Sequence, residues 1–135
     1  MSTNVEPETV VRSIEYDSGL DTVVFTWNRY VTGEQFRTAL TDALAVIERE
    51  DATGFIADAR EFTAHSDDQL EWLQREFTPR MIEAGIERSV QIHPESVIAE
   101  MDTEETAERA DAALPEGVAF EMTTSMDRAR EFVRG

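Results

Sequence analysis

Cysteine and lysine are both missing from this chain, histidine occurs twice and proline four times. Without cysteine there is no disulfide, no thiolate nucleophile and no Cys-ligated zinc, and two histidines leave little from which to build a transition-metal site. Charge interrupts every hydrophobic stretch well short of the roughly 18 apolar residues that a membrane span needs. The opening residues MSTNVEPETVV are acidic and carry neither the basic nor the apolar region of a secretory leader, so the expected compartment is the cytoplasm. No motif calls for a cofactor or a metal: the acidic clusters at 15–17 and 100–105 lack the Asp-x-Asp-x-Asp-Gly pattern of a calcium loop and read as solvated faces.

Carboxylate is what the chain has in excess. Its 29 acidic residues against 12 basic ones, every one of them arginine, give a formal net charge of −17. That balance repels nucleic-acid phosphates and anionic headgroups, which excludes both as expected partners. It reads as adaptation to high salt, where a Debye length of about 3 Å at 1 M screens the self-repulsion. The lack of lysine fits, because its long alkyl stem exposes apolar surface that strong salt penalises. A GC-rich genome would also replace lysine by arginine, but it leaves the acidity unexplained.

A length of 135 residues suits one domain that buries roughly two thirds of its unfolded surface. Residues 1–9 are expected to be a flexible acidic N-terminus, and 10–135 the domain. Val10 to Tyr16 and Asp21 to Trp27 alternate on either side of Asp17-Ser18-Gly19, the pattern of a β-hairpin with Val23, Phe25 and Trp27 on one face. Phe36, Leu40, Ala43, Leu44 and Ile47 form the stripe of an amphipathic helix over 33–50, with Thr32 as its cap. Gly54 to Ala59 is a third, apolar strand. A helix over 66–78 follows, which Pro79 must kink or restart and Gly85 closes.

Val90 and Ile92 mark a fourth strand, and Ala107, Ala110 and Leu114 lie along a third helical region between about Ser96 and Leu114. Val118, Phe120 and Met122 alternate as a fifth strand, and Ser125 caps a last helix with Met126, Ala129 and Val133 inward. The order ββαβαβαβα predicts an α/β fold: a mixed sheet of about five strands, the later ones parallel through right-handed crossovers, with about four helices.

Candidate functional residues gather after the third strand. Asp58 and Arg60 stand two apart at a strand end, on one face and at the sheet edge where open α/β folds bind ligands, and they also suit a structural ion pair. Arg80 could complete an anion clamp if Pro79 turns it back. Ser66-Asp67-Asp68-Gln69 is a capping box with acidic residues in the first helical turn. A phosphate on Ser66 would gain from the helix N-terminus and be repelled by the two aspartates. His65 and His93 each end a segment near the same edge, and one of them with Ser66 and Asp58 would make a serine, histidine and acid set, although no Gly-x-Ser-x-Gly elbow is present. Glu71 with Arg75, Glu76 with Arg80 and Glu105 with Arg109 read as helix-surface pairs. At about 100° per residue, Trp72 falls about 200° from Leu70 and away from the stripe of Leu73, Phe77 and Met81, so it is expected either to pack beneath the third helical region or to anchor an interface, a homodimer included.

Trp27, Thr-Gly-Glu-Gln-Phe-Arg at 32–37, Asp58-x-Arg60, Asp68-Gln69 with Trp72, Pro79-Arg80, Gly85 and Pro94-Glu95-Ser96 together resemble the STAS-like, SpoIIAA-like proteins over nearly the whole chain from Val10. The resemblance implies the SpoIIAA-like α/β fold, shared with anti-sigma-factor antagonists and lipid-binding CRAL-TRIO domains. In the antagonists a phosphorylatable serine follows an aspartate at the corresponding helix start; Ser66 is the nearest match here, without the compact Asp-Ser-Ser-Gly motif. The expected function is therefore binding of a protein partner or a small ligand at the 58–66 loop. A small hydrolase using Ser66 with a histidine, and a carrier of an apolar molecule held between helices and sheet, are the alternatives.

Overall fold

Period-two burial in two short runs starts the sheet. The computed structural model describes residues 3–5, 11–29, 31, 33–61, 67–94 and 117–134. Thr3–Val5 (β1), Arg12–Asp17 (β2) and Thr22–Trp27 (β3) are antiparallel neighbours, with Ile14 opposite Phe25 and Tyr16 opposite Val23. Gly54–Asp58 (β4), Arg88–Ile92 (β5) and Ala119–Thr123 (β6) continue the sheet in parallel, giving six strands in the order β1 to β6. The α/β class and the parallel later strands are as expected. Within the stretch expected to be a flexible tail, Thr3–Val5 supplies an edge strand, with Asn4 opposite Tyr16. Three residues without alternation give no periodic signal by which to find it.

Gly33–Glu50 (α1) buries Phe36, Ala39, Leu40, Ala43, Leu44, Val46 and Ile47 against Val23, Phe25, Trp27 and Phe55 on one face of the sheet. Asp67–Trp72 (α2) runs through a π-helical turn, Leu73–Phe77, into Thr78–Glu83 (α3) on the same side. Met126–Arg134 (α4) covers the opposite face, where Ala129 and Val133 pack on Ile56, Val90 and Ile92. β4 lies between the two layers, and all five of its residues are buried. Both faces of β4 are thus covered, which is the usual state of a central parallel strand. Thr32 and the expected third helical region fall outside the described residues.

Proline is absorbed where it stands. The Thr78 N–H donates to the Leu73 carbonyl, five residues back, and Pro79 then sits in the first turn of α3, where its missing N–H costs little. The helix therefore restarts without a sharp break. It ends at Gly85, whose φ of 109° suits glycine, with Gly85 N–H on Ile82 O and Ile86 N–H on Met81 O. At the start of α4 the Arg128 N–H reaches the Ser125 Oγ at 3.3 Å, the expected cap.

Asp21 ties the β2–β3 turn to the start of β4. Its carboxylate accepts the Tyr16 hydroxyl at 2.6 Å and the Thr53 hydroxyl at 3.2 Å, while its carbonyl accepts the N–H groups of Thr53 and Gly54. The bond to Asp21, aided by burial, pushes the Tyr16 phenol up to about 12. These contacts close the end of the sheet remote from Asp58.

Candidate functional site

β4 and β5 run parallel and end together, with Asp58 opposite Ile92, so whatever follows them shares the carboxyl edge of the sheet. Asp58 is buried and accepts three N–H bonds from Arg60: the backbone at 3.2 Å, Nε at 3.0 Å and Nη2 at 2.6 Å. The hydrogen bond and charge of Asp58 raise the Arg60 pKa above its already high value. With both carboxylate oxygens occupied by a half-exposed guanidinium, the pair fastens the first residues of the loop. This is the structural ion pair that the spacing allowed.

The strand pleat divides the expected site in two. Asp58 pairs across from Thr26 and follows Ile56 onto the face covered by α4. His93 continues the other face, because its Nε2 lies 3.0 Å from the Oε1 of Gln91, two residues earlier on β5. A set built from Asp58, His93 and Ser66 would need the acid and the imidazole on one side, so the structure does not assemble it with these two. His65 and Ser66 lie outside the described residues, as does the Ser66 half of the capping box. Gln69, the other half, is buried and donates through Nε2 to the Val31 carbonyl at 3.1 Å, which fixes α2 against the start of α1.

His93 is 5% exposed, and burial lowers its pKa below the ordinary imidazole value. Below about pH 6.5 the unfolded chain takes up a proton that the folded imidazole refuses until lower pH. Stability should therefore fall as pH drops from about 6.5 toward the native pKa, with no His93 contribution above that window. Denaturant midpoints at pH 7.5 and 5.5 check this. His93→Gln should flatten the difference, and an unchanged slope would place the effect elsewhere.

α2, α3 and the turn between them place two further candidates. Arg80 does not turn back to an anion clamp: it lies on the exposed helix face 3.8 Å from Glu76, next to the Glu71–Arg75 pair at 3.0 Å. Glu105 and Arg109 lie outside the described residues. Trp72 is half-buried against the main core. Its ring meets Phe36 edge-on at 6.0 Å, stacks on Phe77 at 6.1 Å, and carries the Arg37 guanidinium 5.9 Å above it. The helical wheel failed because residues five apart, about 140° separated in an α-helix, are brought to one side when the chain is wound into a π-turn. Trp72→Ala should consequently cost about 2 kcal/mol, through lost aromatic burial. An unfolding midpoint equal to that of the wild type would return the ring to a purely intermolecular role.

Beneath the π-turn and α3 lies a partly open cavity of about 90 Å³. Its lining includes Trp27, Phe55 and Phe77, with Ala59 at the β4 edge and Ser89 and Gln91 on β5. It reaches the residue between Asp58 and Arg60, and it reaches the amide bonded to His93. Period-two reading of β5 selects Val90 and Ile92 as inward and leaves Ser89 and Gln91 outside. The missed signal is that parallel strands are covered on both faces, so polar residues at the alternate positions face a packed layer rather than water.

No family model, curated protein or solved structure matches this chain. Among the described residues no helix is long and apolar enough to cross a membrane.

Proposed function

We propose that this chain is a SpoIIAA-like, STAS-like domain of a salt-adapted cytoplasmic protein, and that it acts by binding a small molecule. The family reading draws support from the α/β class of the sheet, which agrees with the fold class that the resemblance implies. The single observation that carries the functional reading is the cavity. It lies on the sheet face under α3 and reaches Ala59 at the carboxyl edge, where ligands of α/β sheets bind, and it is apolar with a few polar groups, the usual chemistry of a ligand pocket. At about 90 Å³ it is larger than the roughly 10–15 Å³ that admits one water, and smaller than the roughly 300–1,000 Å³ of drug-sized pockets. That size favours a small ligand over a long lipid chain. Asp58 and His93 face opposite sides, which weighs against a hydrolase using both.

A thermal-shift screen with small metabolites in molar KCl tests the proposal. Compounds that raise the midpoint of the wild type and leave Ser89→Leu unmoved support it, because the leucine fills the cavity from β5. A screen without such compounds, together with a protein partner that binds Ser89→Leu as tightly as the wild type, overturns it in favour of a protein-interaction module.

A further inference from the structure

The geometry points to a ligand class for this cavity: an uncharged molecule with a single aromatic ring and one oxygen that accepts a hydrogen bond. The inference rests on the small-ligand reading above. Size sets the first limit, since a cavity of about 150 Å³ holds benzene, and about 90 Å³ here admits one ring only if part of it occupies the open mouth. Fused rings would leave still more of themselves outside it.

The walls set the second limit. Trp27 and Phe36 are stacked with centroids 5.4 Å apart, and Phe55 and Phe77 are tilted at 5.8 Å; all four line the cavity, with Phe120 on β6. Ring faces and edges supplied from several directions suit another ring, because offset and edge-on contacts add to simple apolar burial. No charged side chain is among the described lining residues. Among the described lining residues a carboxylate or ammonium would find no counter-charge for its lost hydration, which makes a neutral ligand the better fit.

Gln91 sets the third. Burial keeps the His93 imidazole neutral to lower pH than usual, and in the tautomer protonated at Nε2 it donates to Gln91 Oε1 across 3.0 Å. One lone pair of the amide oxygen is then engaged, which fixes the amide's orientation, and the Nε2 hydrogens can donate to a ligand oxygen. Ser89, two residues earlier on the same face, adds a hydroxyl to the lining. The histidine thereby acts at one remove, as a positioning residue that fixes which way the amide points.

Calorimetric titration in molar KCl with phenol, toluene, cyclohexanol, hexanol and benzoate tests the assignment. Phenol should bind about threefold to tenfold tighter than cyclohexanol, the range that aromatic contacts add. Benzoate should bind more than tenfold more weakly than phenol, because its charge is buried without a partner. Gln91→Leu should weaken phenol about threefold to tenfold and leave toluene nearly unchanged, which a merely structural role of the amide would not produce. Should that variant fail to fold, Ile82→Trp fills the cavity from the half-buried helix side and should abolish phenol binding. Hexanol or cyclohexanol equal to phenol, benzoate tighter than phenol, or silence from every ring while some other metabolite raises the thermal midpoint, would overturn the aromatic assignment alone. Failure of every small molecule to stabilise the protein would overturn the small-ligand reading with it.

Discussion

Gly54→Ala is expected to destabilise the fold by about 3 kcal/mol, at the upper end of what overpacking a core costs. Gly54 opens β4 and lies directly opposite Thr22 in the parallel register. A Cβ there would overlap the Thr22 Oγ1, and it would stand 3.3 Å from both the Thr22 Cβ and the Val133 Cβ. Neither neighbour yields easily. Thr22 is fully buried with its hydroxyl donated to the Leu20 carbonyl at 2.9 Å, and Val133 is held in α4. The Gly54 N–H is bonded to Asp21, so the backbone cannot retreat without loosening the turn that Asp21 organises. Denaturant unfolding in molar KCl measures the loss. Adding Thr22→Ala removes the overlapping oxygen and should return about 1 kcal/mol or more as coupling between the two sites. A single variant within about 0.5 kcal/mol of the wild type would show that the strand start is free to shift.

Salt should move stability at least as far. With a net charge of −17, each fold-wide approach of carboxylates is opposed by repulsion that dilute buffer transmits over about 10 Å and molar salt confines to about 3 Å. The ion pairs among the described residues are mostly local and exposed. Arg12 meets Asp42 at 3.1 Å and Arg60 meets Asp58, while the arginines of α2 and α3 pair on exposed surface, where an ion pair contributes only about 0–1 kcal/mol. The thermal midpoint should rise by about 10 °C or more between about 0.1 M and 2 M KCl, equivalent to a few kcal/mol. A flat or falling midpoint would detach the acidity from salt adaptation and leave arginine usage as a codon effect.

Much of the layout was legible because its residues obey one period at a time. The hairpin at Arg12–Trp27, the stripe of α1 and the burial of Val90 and Ile92 repeat at two or at 3.6, and packing kept what the pattern proposed. The Asp58–Arg60 spacing likewise announced the ion pair. The contact of Trp72 with the core was not legible because a π-turn has no stripe of its own in sequence; it becomes visible only once Phe77 is seen beneath the ring. The split between Asp58 and His93 was hidden for a related reason. Position along the chain shows that two strands end together, whereas the register between them decides which face each side chain takes.

Each strand of the sheet has its sequence neighbour as its hydrogen-bonded neighbour, from β1 through β6. Assembly can thus proceed by accretion, every pairing closing one connection, an ordering that keeps contact order low for a partly parallel sheet. The two faces do not mature together, however. α1 and the α2–α3 rod are synthesised between the strands they cover, but α4 follows all six, and until it arrives Ile56, Val90 and Ile92 lack the packing of Ala129 and Val133. A nascent chain paused before Met126 would lack those contacts on an apolar face, the condition that recruits chaperones or seeds aggregation. The nine residues of α4 are in this sense a closing step in biogenesis, converting a sticky intermediate into a finished fold.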